Sequence, residues 1–276
     1  MYKAGHYDVV VVGAGHAGCE AAHAAARMGC SVALLTQSLD TIAMMPCNPA
    51  VGGPAKGHIV AEIDAMGGLM ARAIDAAFLQ IRMLNTGKGP AVRALRAQAD
   101  KRRYQQVMRR MLEQTAGISL FQCMVQEVVV DEGRVSGVLT ENKAFFAAGA
   151  VVVTTGTYMR GKVIVGDTAV EAGPNSLLSS GQLSDSLRRS GLQLGRFKTG
   201  TPPRVHGRSI DFSLMQEQPG DEGGLRFSHE SPPPDRTQLS CWLTYTTAKT
   251  HALIRSNLHR SPLYSGAIVG TGPRYC

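Results

Sequence analysis

An apolar run, Val9-Val10-Val11-Val12, passes directly into Gly13-Ala14-Gly15-His16-Ala17-Gly18 and then into an alanine-rich segment. Strand, G-x-G-x-x-G and helix in that order form the fingerprint of a βαβ unit that takes a dinucleotide. Gly13 permits the tight turn, Gly15 lets backbone approach a pyrophosphate, and Gly18 lets the helix pack closely on the strand. The helix N-terminus adds unpaired N–H groups and a positive dipole end, so phosphate can be held without a lysine. A plain glycine-rich turn is the competing reading. The surroundings favour binding: a strand at 8–12, a helix over 15–28, a stop at Gly29 and a second strand at 31–35. That second strand ends in Leu35-Thr36-Gln37 and lacks the acidic residue that often bonds ribose hydroxyls, so the fingerprint alone leaves FAD and NAD both open.

At 276 residues the chain can hold one large domain or two ordinary ones around a real core. With 44% hydrophobic and 18% charged residues it reads as folded rather than disordered. No apolar run reaches membrane-spanning length, and the first residues show neither a signal nor a transit pattern, which points to the cytoplasm. The six cysteines, at 19, 30, 47, 123, 241 and 276, lack C-x-x-C spacing, so neither a disulfide framework nor a zinc site is expected. The histidines show no metal spacing either. A net charge of +8 favours an anionic partner, with nucleic acid the natural candidate.

Further along, 41–68 reads as a glycine-dense binding loop followed by a helix, and 69–84 as helical. Residues 85–90 break the pattern, and a strongly basic helix is expected over 92–114. Strands at 121–130 and 134–140 turn at 131–133, and a strand at 150–153 returns the chain to a parallel sheet. A short helix is expected at 184–189, a long surface loop at 217–238, a strand at 239–246 and another at 266–269. With no helix after that last strand, the chain reads as truncated.

Three constellations could carry chemistry. Cys47 lies in Pro46-Cys47-Asn48-Pro49, near Lys56 and His58 in sequence, where a following helix N-terminus could stabilise a thiolate. Its alternative is a small buried hydrophobe. Cys276 follows a second glycine pair, Gly270 and Gly272, which could open another phosphate-cradling turn; the alternative is a mere chain end. The basic run, with Lys88, Arg93, Arg96, Lys101, Arg102, Arg103, Arg109 and Arg110, could track an RNA backbone or form a solvated helical face. His16 reads as a loop donor rather than a base.

Several long motifs resemble one family. They are Cys47-Asn48-Pro49-Ala50-Val51-Gly52-Gly53 with Lys56-Gly57-His58, the stretches 62–68 and 89–100, Lys198 to Arg204, and 261–276. Together they are similar to the MnmG (GidA) family of FAD-dependent tRNA uridine 5-carboxymethylaminomethyl modification enzymes. The resemblance implies a Rossmann-like α/β FAD-binding domain of the glutathione-reductase-like flavoprotein type at 1–198. It also implies the start of an inserted NAD-binding α/β domain at 199–276. FAD would lie on Gly13, Ala14, Gly15, His16, Ala17 and Gly18 and touch Val125 and Ser180, although 167–182 departs from the family pattern. NAD(P)H would meet Gly270, Thr271, Gly272, Pro273, Arg274, Tyr275 and Cys276.

The family's two key cysteines match Cys47 and Cys276. A thiolate adding to carbon six of a wobble uracil would make carbon five nucleophilic towards a one-carbon unit from methylenetetrahydrofolate, with flavin and NADH handling the hydride. Lys88, Arg93, Arg96, Arg102 and Arg103 would lie along the tRNA anticodon loop. The resemblance further implies a homodimer and the GTPase MnmE as partner, two copies of each. The isolated 276 residues are expected to bind FAD poorly, since the family closes that site with later residues. Two other readings stay open: a folate- and FAD-dependent tRNA uracil-5-methyltransferase, and an FAD-dependent oxidoreductase acting on a small molecule.

Overall fold

Val10 and Val11 are fully buried because their strand lies at the centre of a sheet covered on both faces. The computed structural model describes residues 1–272. The chain opens with β1 (Tyr2–Val12), α1 (His16–Arg27) and β2 (Val32–Thr36). An excursion follows: β3 (Ala50–Gly52), α2 (Lys56–Ala65), α3 (Met70–Asp75), β4 (Phe78–Leu84) and β5 (Ala94–Ala99). Next come α4 (Lys101–Glu113), β6 (Ile118–Gln122), β7 (Val125–Asp131), β8 (Arg134–Thr140) and β9 (Ala144–Val153). Beyond them lie the hairpin β10 (Lys162–Val165) and β11 (Thr168–Glu171), then α5 (Gly181–Arg189), β12 (Gln216–Gln218), β13 (Cys241–Leu243) and α6 (Ala248–Ser256).

The main sheet has the order β6-β2-β1-β9-β8-β7. Its first four strands are parallel, with Val12 opposite Leu35 on one side and Val153 on the other, and β8 and β7 extend it antiparallel. One face packs Val11 and Leu34 under α1 and α4 through Cys19, Ala22, Tyr104, Met108 and Leu112. The opposite face packs Val10, Val12 and Leu35 against Leu183 and Leu187 of α5. Each fully buried Val or Leu contributes about 1.5–3 kcal/mol relative to exposure. The arrangement is the Rossmann-like α/β fold that the sequence implied.

Several boundaries differ from expectation. The helix expected over 69–84 is α3 followed by β4, which pairs with β5 in a separate antiparallel sheet of order β3-β5-β4. The basic helix expected from 92 begins only at Lys101. Ala-Leu-Arg-Ala-Gln-Ala favours helix by propensity, yet pairing on both sides makes 94–99 a strand. Asp100 then caps α4, accepting from the amides of Arg102 and Arg103 at 3.0 and 3.1 Å. The strand expected at 121–130 is two: the chain leaves β6 at one sheet edge, crosses the strand ends at Cys123 and Met124, and enters β7 at the other edge. Residues 266–269 form no strand, and the strand at 239–246 shrinks to β13.

The segment 217–238 is not a loose surface loop. Buried Asp75 accepts from the amides of Phe227 and Ser228 at 2.8 and 2.9 Å, and Phe227 joins the core. Along β4, Met83 donates to Asp221 Oδ2 at 2.7 Å, Ile81 to Gln238 Oε1 at 2.8 Å, and Leu239 to the Leu79 carbonyl at 2.9 Å. The segment thereby covers the free edge of β4, which would otherwise expose a row of unpaired backbone groups.

Candidate active site

A cavity of about 480 Å³ opens at the carboxyl ends of β1, β2 and β9. That is where strand order reverses direction, the position at which open α/β sheets take ligands. Its floor is the turn after β1. Gly13 has φ +103, and a Cβ there would stand 2.6 Å from the Thr154 carbonyl oxygen. Gly18 faces the Gly13 carbonyl so closely that any side chain would collide. A Cβ on Gly15, by contrast, would meet nothing within 4 Å.

Gly15 caps α1 with no side-chain bond, and the first turn carries no acidic residue. Helix geometry leaves the amides of His16, Ala17 and Gly18 without intrahelical acceptors. Open space above Gly15, free amides and a positive dipole end together suit the phosphates of a dinucleotide.

Other predicted positions converge on the same cavity. Val125 and Ser180 are both buried in its wall, and the Ser180 hydroxyl donates to the Val125 carbonyl at 3.2 Å. Thr36 also lines it, its hydroxyl donating to the Ser38 carbonyl at 3.3 Å. His16 lies against Tyr104, ring centroids 5.6 Å apart, and burial holds its pKa below the ordinary value. A neutral imidazole there is a donor or acceptor rather than a cation.

Cys47 sits at the rim, one residue beyond Pro46 of the cavity wall. It is half-buried, and β3 separates it along the chain from the start of α2, so the helix proposed to stabilise it does not directly follow it. Its Sγ instead faces the Gly200 carbonyl at 3.6 Å, and the Arg204 guanidinium donates to its main-chain carbonyl. Lys101 is within electrostatic reach of Cys47 and Arg204. Sequence reasoning passed over Lys101 and Arg204 as Cys47 neighbours; the joint presence of 47–53 and 198–204 among the family-like motifs was the available signal. Cys19, Cys30, Cys47, Cys123 and Cys241 are free thiols. Burial pushes the Cys19 thiol up to about 12 and the Cys123 thiol up to about 11.

The basic residues do not share one helix. Arg102 and Arg103 lie on the first turn of α4, Arg96 lies on β5 beside Gly53, and Arg93 precedes the strand, bonded to the Thr86 carbonyl at 3.3 Å. With Lys88 they are all exposed, along a continuous stretch of chain. Arg109, further down α4, is neutralised by Glu113 at 2.8 Å and Asp40 at 3.2 Å. At the second glycine pair, Gly270 packs against the Arg196 carbonyl and the Lys198 amide donates to the Thr271 carbonyl at 3.0 Å. Pro273, Arg274, Tyr275 and Cys276 lie outside the described residues. Among the described residues no helix is long and apolar enough to cross a membrane.

The family model described as Glucose inhibited division protein A matches residues 8–276. The tRNA uridine 5-carboxymethylaminomethyl modification enzyme MnmG of Heliobacterium modesticaldum is 62% identical over 275 residues, covering 100% of this chain and 43% of the relative. Its counterpart from Geobacillus thermodenitrificans is 56% identical over 275 residues, covering 100% and 44%. Among solved structures, GidA of Aquifex aeolicus superposes with a TM-score of 0.91 at 48% identity, over 98% of this chain and 46% of that one. The GidA-related protein of Thermus thermophilus gives 0.51 at 27% identity, over 69% and 71%. The chain thus spans less than half the length of the curated relatives it matches.

Proposed function

The chain belongs to the glucose inhibited division protein A family, and on that premise we propose that it forms the flavin-binding part of an enzyme that modifies uridine in tRNA. The observation that carries this reading is Cys47 at the rim of a cavity built on the G-x-G-x-x-G turn, in a chain 62% identical to a relative named for tRNA uridine modification. FAD bound there would supply two-electron hydride chemistry. Gly13, Ala14, Gly15, His16, Ala17 and Gly18 would cradle its phosphates, with the amides of His16, Ala17 and Gly18 as donors, and the bonded pair Ser180 and Val125 would shape the wall beside it.

Cys47 is the nucleophile in this proposal. Its sulfur would bond to carbon six of the target uracil, and the electron pair of the ring double bond would move to carbon five, which attacks a one-carbon unit; loss of the carbon-five proton then re-forms the double bond and expels the sulfur as thiolate. Methylenetetrahydrofolate would supply that unit, a carbon–nitrogen bond of the folate breaking as the carbon–carbon bond forms; NAD(P)H would bring reducing equivalents at the turn from Gly270, and Cys276 would be the second thiol. Lys88, Arg93, Arg96, Arg102 and Arg103 neutralise backbone phosphates of the anticodon loop, whose unpaired bases can be extruded at small cost. The division at 198/199 into an FAD unit and the start of an NAD(P)H unit belongs to the same proposal, as do a homodimer, assembly with the GTPase MnmE and a cytoplasmic location.

Nucleoside analysis of transfer RNA from a bacterium lacking its own family member, with and without the protein at the relatives' full length, tests this. Restoration of the modified wobble uridine supports it. Restoration of a methyl group in the T loop instead identifies a uracil methyltransferase, and no change in either rejects tRNA modification.

A further inference from the structure

Three cations, Arg204, Lys101 and Arg102, gather beside Cys47. The Arg204 guanidinium is bonded to the Cys47 carbonyl, and the Lys101 ammonium lies within reach of Arg204, Arg102 and Cys47. Lys101 is there because β3 pairs with β5 and the Ala99 amide donates to the Pro49 carbonyl at 2.6 Å, which draws the first turn of α4 against the Cys47 segment. Asp100, next in the chain, is occupied in capping α4. Among the described residues, Lys101, Arg102, Arg103 and Arg204 make no salt bridge with a carboxylate. Burial first, then repulsion from Arg204 and Arg102, holds the Lys101 pKa below its ordinary value. Like charges gathered in this way cost free energy that a bound anion would return.

We propose that Lys101 and Arg204 form a clamp for the phosphodiester of the RNA nucleotide whose base is presented to Cys47. This rests on the reading of the protein as a tRNA uridine-modifying enzyme and adds the place where the target nucleotide is gripped. The Arg204 guanidinium, one of whose nitrogens is held by the Cys47 carbonyl, keeps further donors for phosphate oxygen, and Lys101 adds a point charge nearby. Such a contact sets the register of the strand and leaves the base free to be chosen by its own edges. It differs from the role given to Lys88 and Arg93 in acting on one phosphate rather than on the backbone at large.

The test is binding of an anticodon stem-loop RNA to the protein, using RNAs that carry either ordinary phosphate or neutral methylphosphonate at each linkage flanking the wobble uridine. Methylphosphonate at one of the two linkages should weaken binding to the parent protein about tenfold and reduce its salt slope by about one. Lys101→Met should lose about tenfold on the phosphate RNA and nothing further on that methylphosphonate RNA, with Arg204→Met alike and Arg204→Lys intermediate. Insensitivity of the parent protein to both substitutions overturns the clamp without any variant having to fold. Variant losses of equal size on both RNAs overturn it too, leaving the functional reading intact. A parent protein that binds the stem-loop no better than a scrambled RNA defeats both.

Discussion

Thr154 donates its hydroxyl hydrogen to the Gly13 carbonyl oxygen at 2.9 Å, fastening the end of β9 to the turn that follows β1. The same hydroxyl also reaches the Val12 carbonyl at 3.1 Å, so one side chain ties together the two strand ends that frame the cavity. Thr154→Val keeps the shape and removes the donor. Urea unfolding should show a loss of about 1 kcal/mol, while Thr154→Ser stays closer to the parent.

Two glycines of the fingerprint should separate under mutation. Gly18→Ala drives a methyl group into the Gly13 carbonyl and should destabilise the chain by about 1–3 kcal/mol. Gly15→Ala meets only open space and should change stability by no more than about 1 kcal/mol. In protein of the relatives' full length, however, Gly15→Ala should lower flavin occupancy, read from visible absorbance, because its methyl group projects where phosphate would lie.

Asp75 holds 217–238 in place from beneath. Asp75→Ala leaves the Phe227 and Ser228 amides without their acceptor and should cost about 2–3 kcal/mol. Limited proteolysis should then cut within 217–238 well before it does in the parent chain; an unchanged cleavage pattern would show that the β4 contacts suffice alone.

Alkaline pH should weaken the fold through its buried thiols. The folded-state value of Cys19, about 12, lies above the ordinary thiol value of 9.0, so ionisation favours the unfolded chain. The stabilisation is complete below pH 9 and is lost as pH rises towards 12, with Cys123 contributing up to about 11. Cys19→Ala should flatten the fall in unfolding free energy across that window. At about pH 8 neither Cys19 nor Cys123 should react appreciably with iodoacetamide in the folded protein.

What could be read from the chain was local. Val9 to Gly18 carries its own strand, turn and helix signals, and the cavity stands where that motif put it. Ala94 to Ala99 could not be read in the same way. Its composition suits a helix, and only pairing with Val51 and Ile81 makes it a strand. Asp75 likewise reads as an ordinary carboxylate within a helix expected over 69–84 until Phe227 arrives from 152 residues away. The Cys47 neighbourhood was half legible. Its proline-flanked setting marked it, but Lys101 and Arg204 become its neighbours only through long-range contacts of β3 with β5 and of Arg204 with the loop.

The most direct measurement is the nucleoside content of transfer RNA in cells whose sole family member is the full-length protein carrying Cys47→Ser. Replacing sulfur by a poorer nucleophile of similar size leaves the cavity and its glycine turn in place, so flavin should be retained while the modified wobble uridine falls below detection. Wobble uridine modified to the parent level, in protein that still carries flavin, would contradict the assignment of Cys47 as the group that attacks the base.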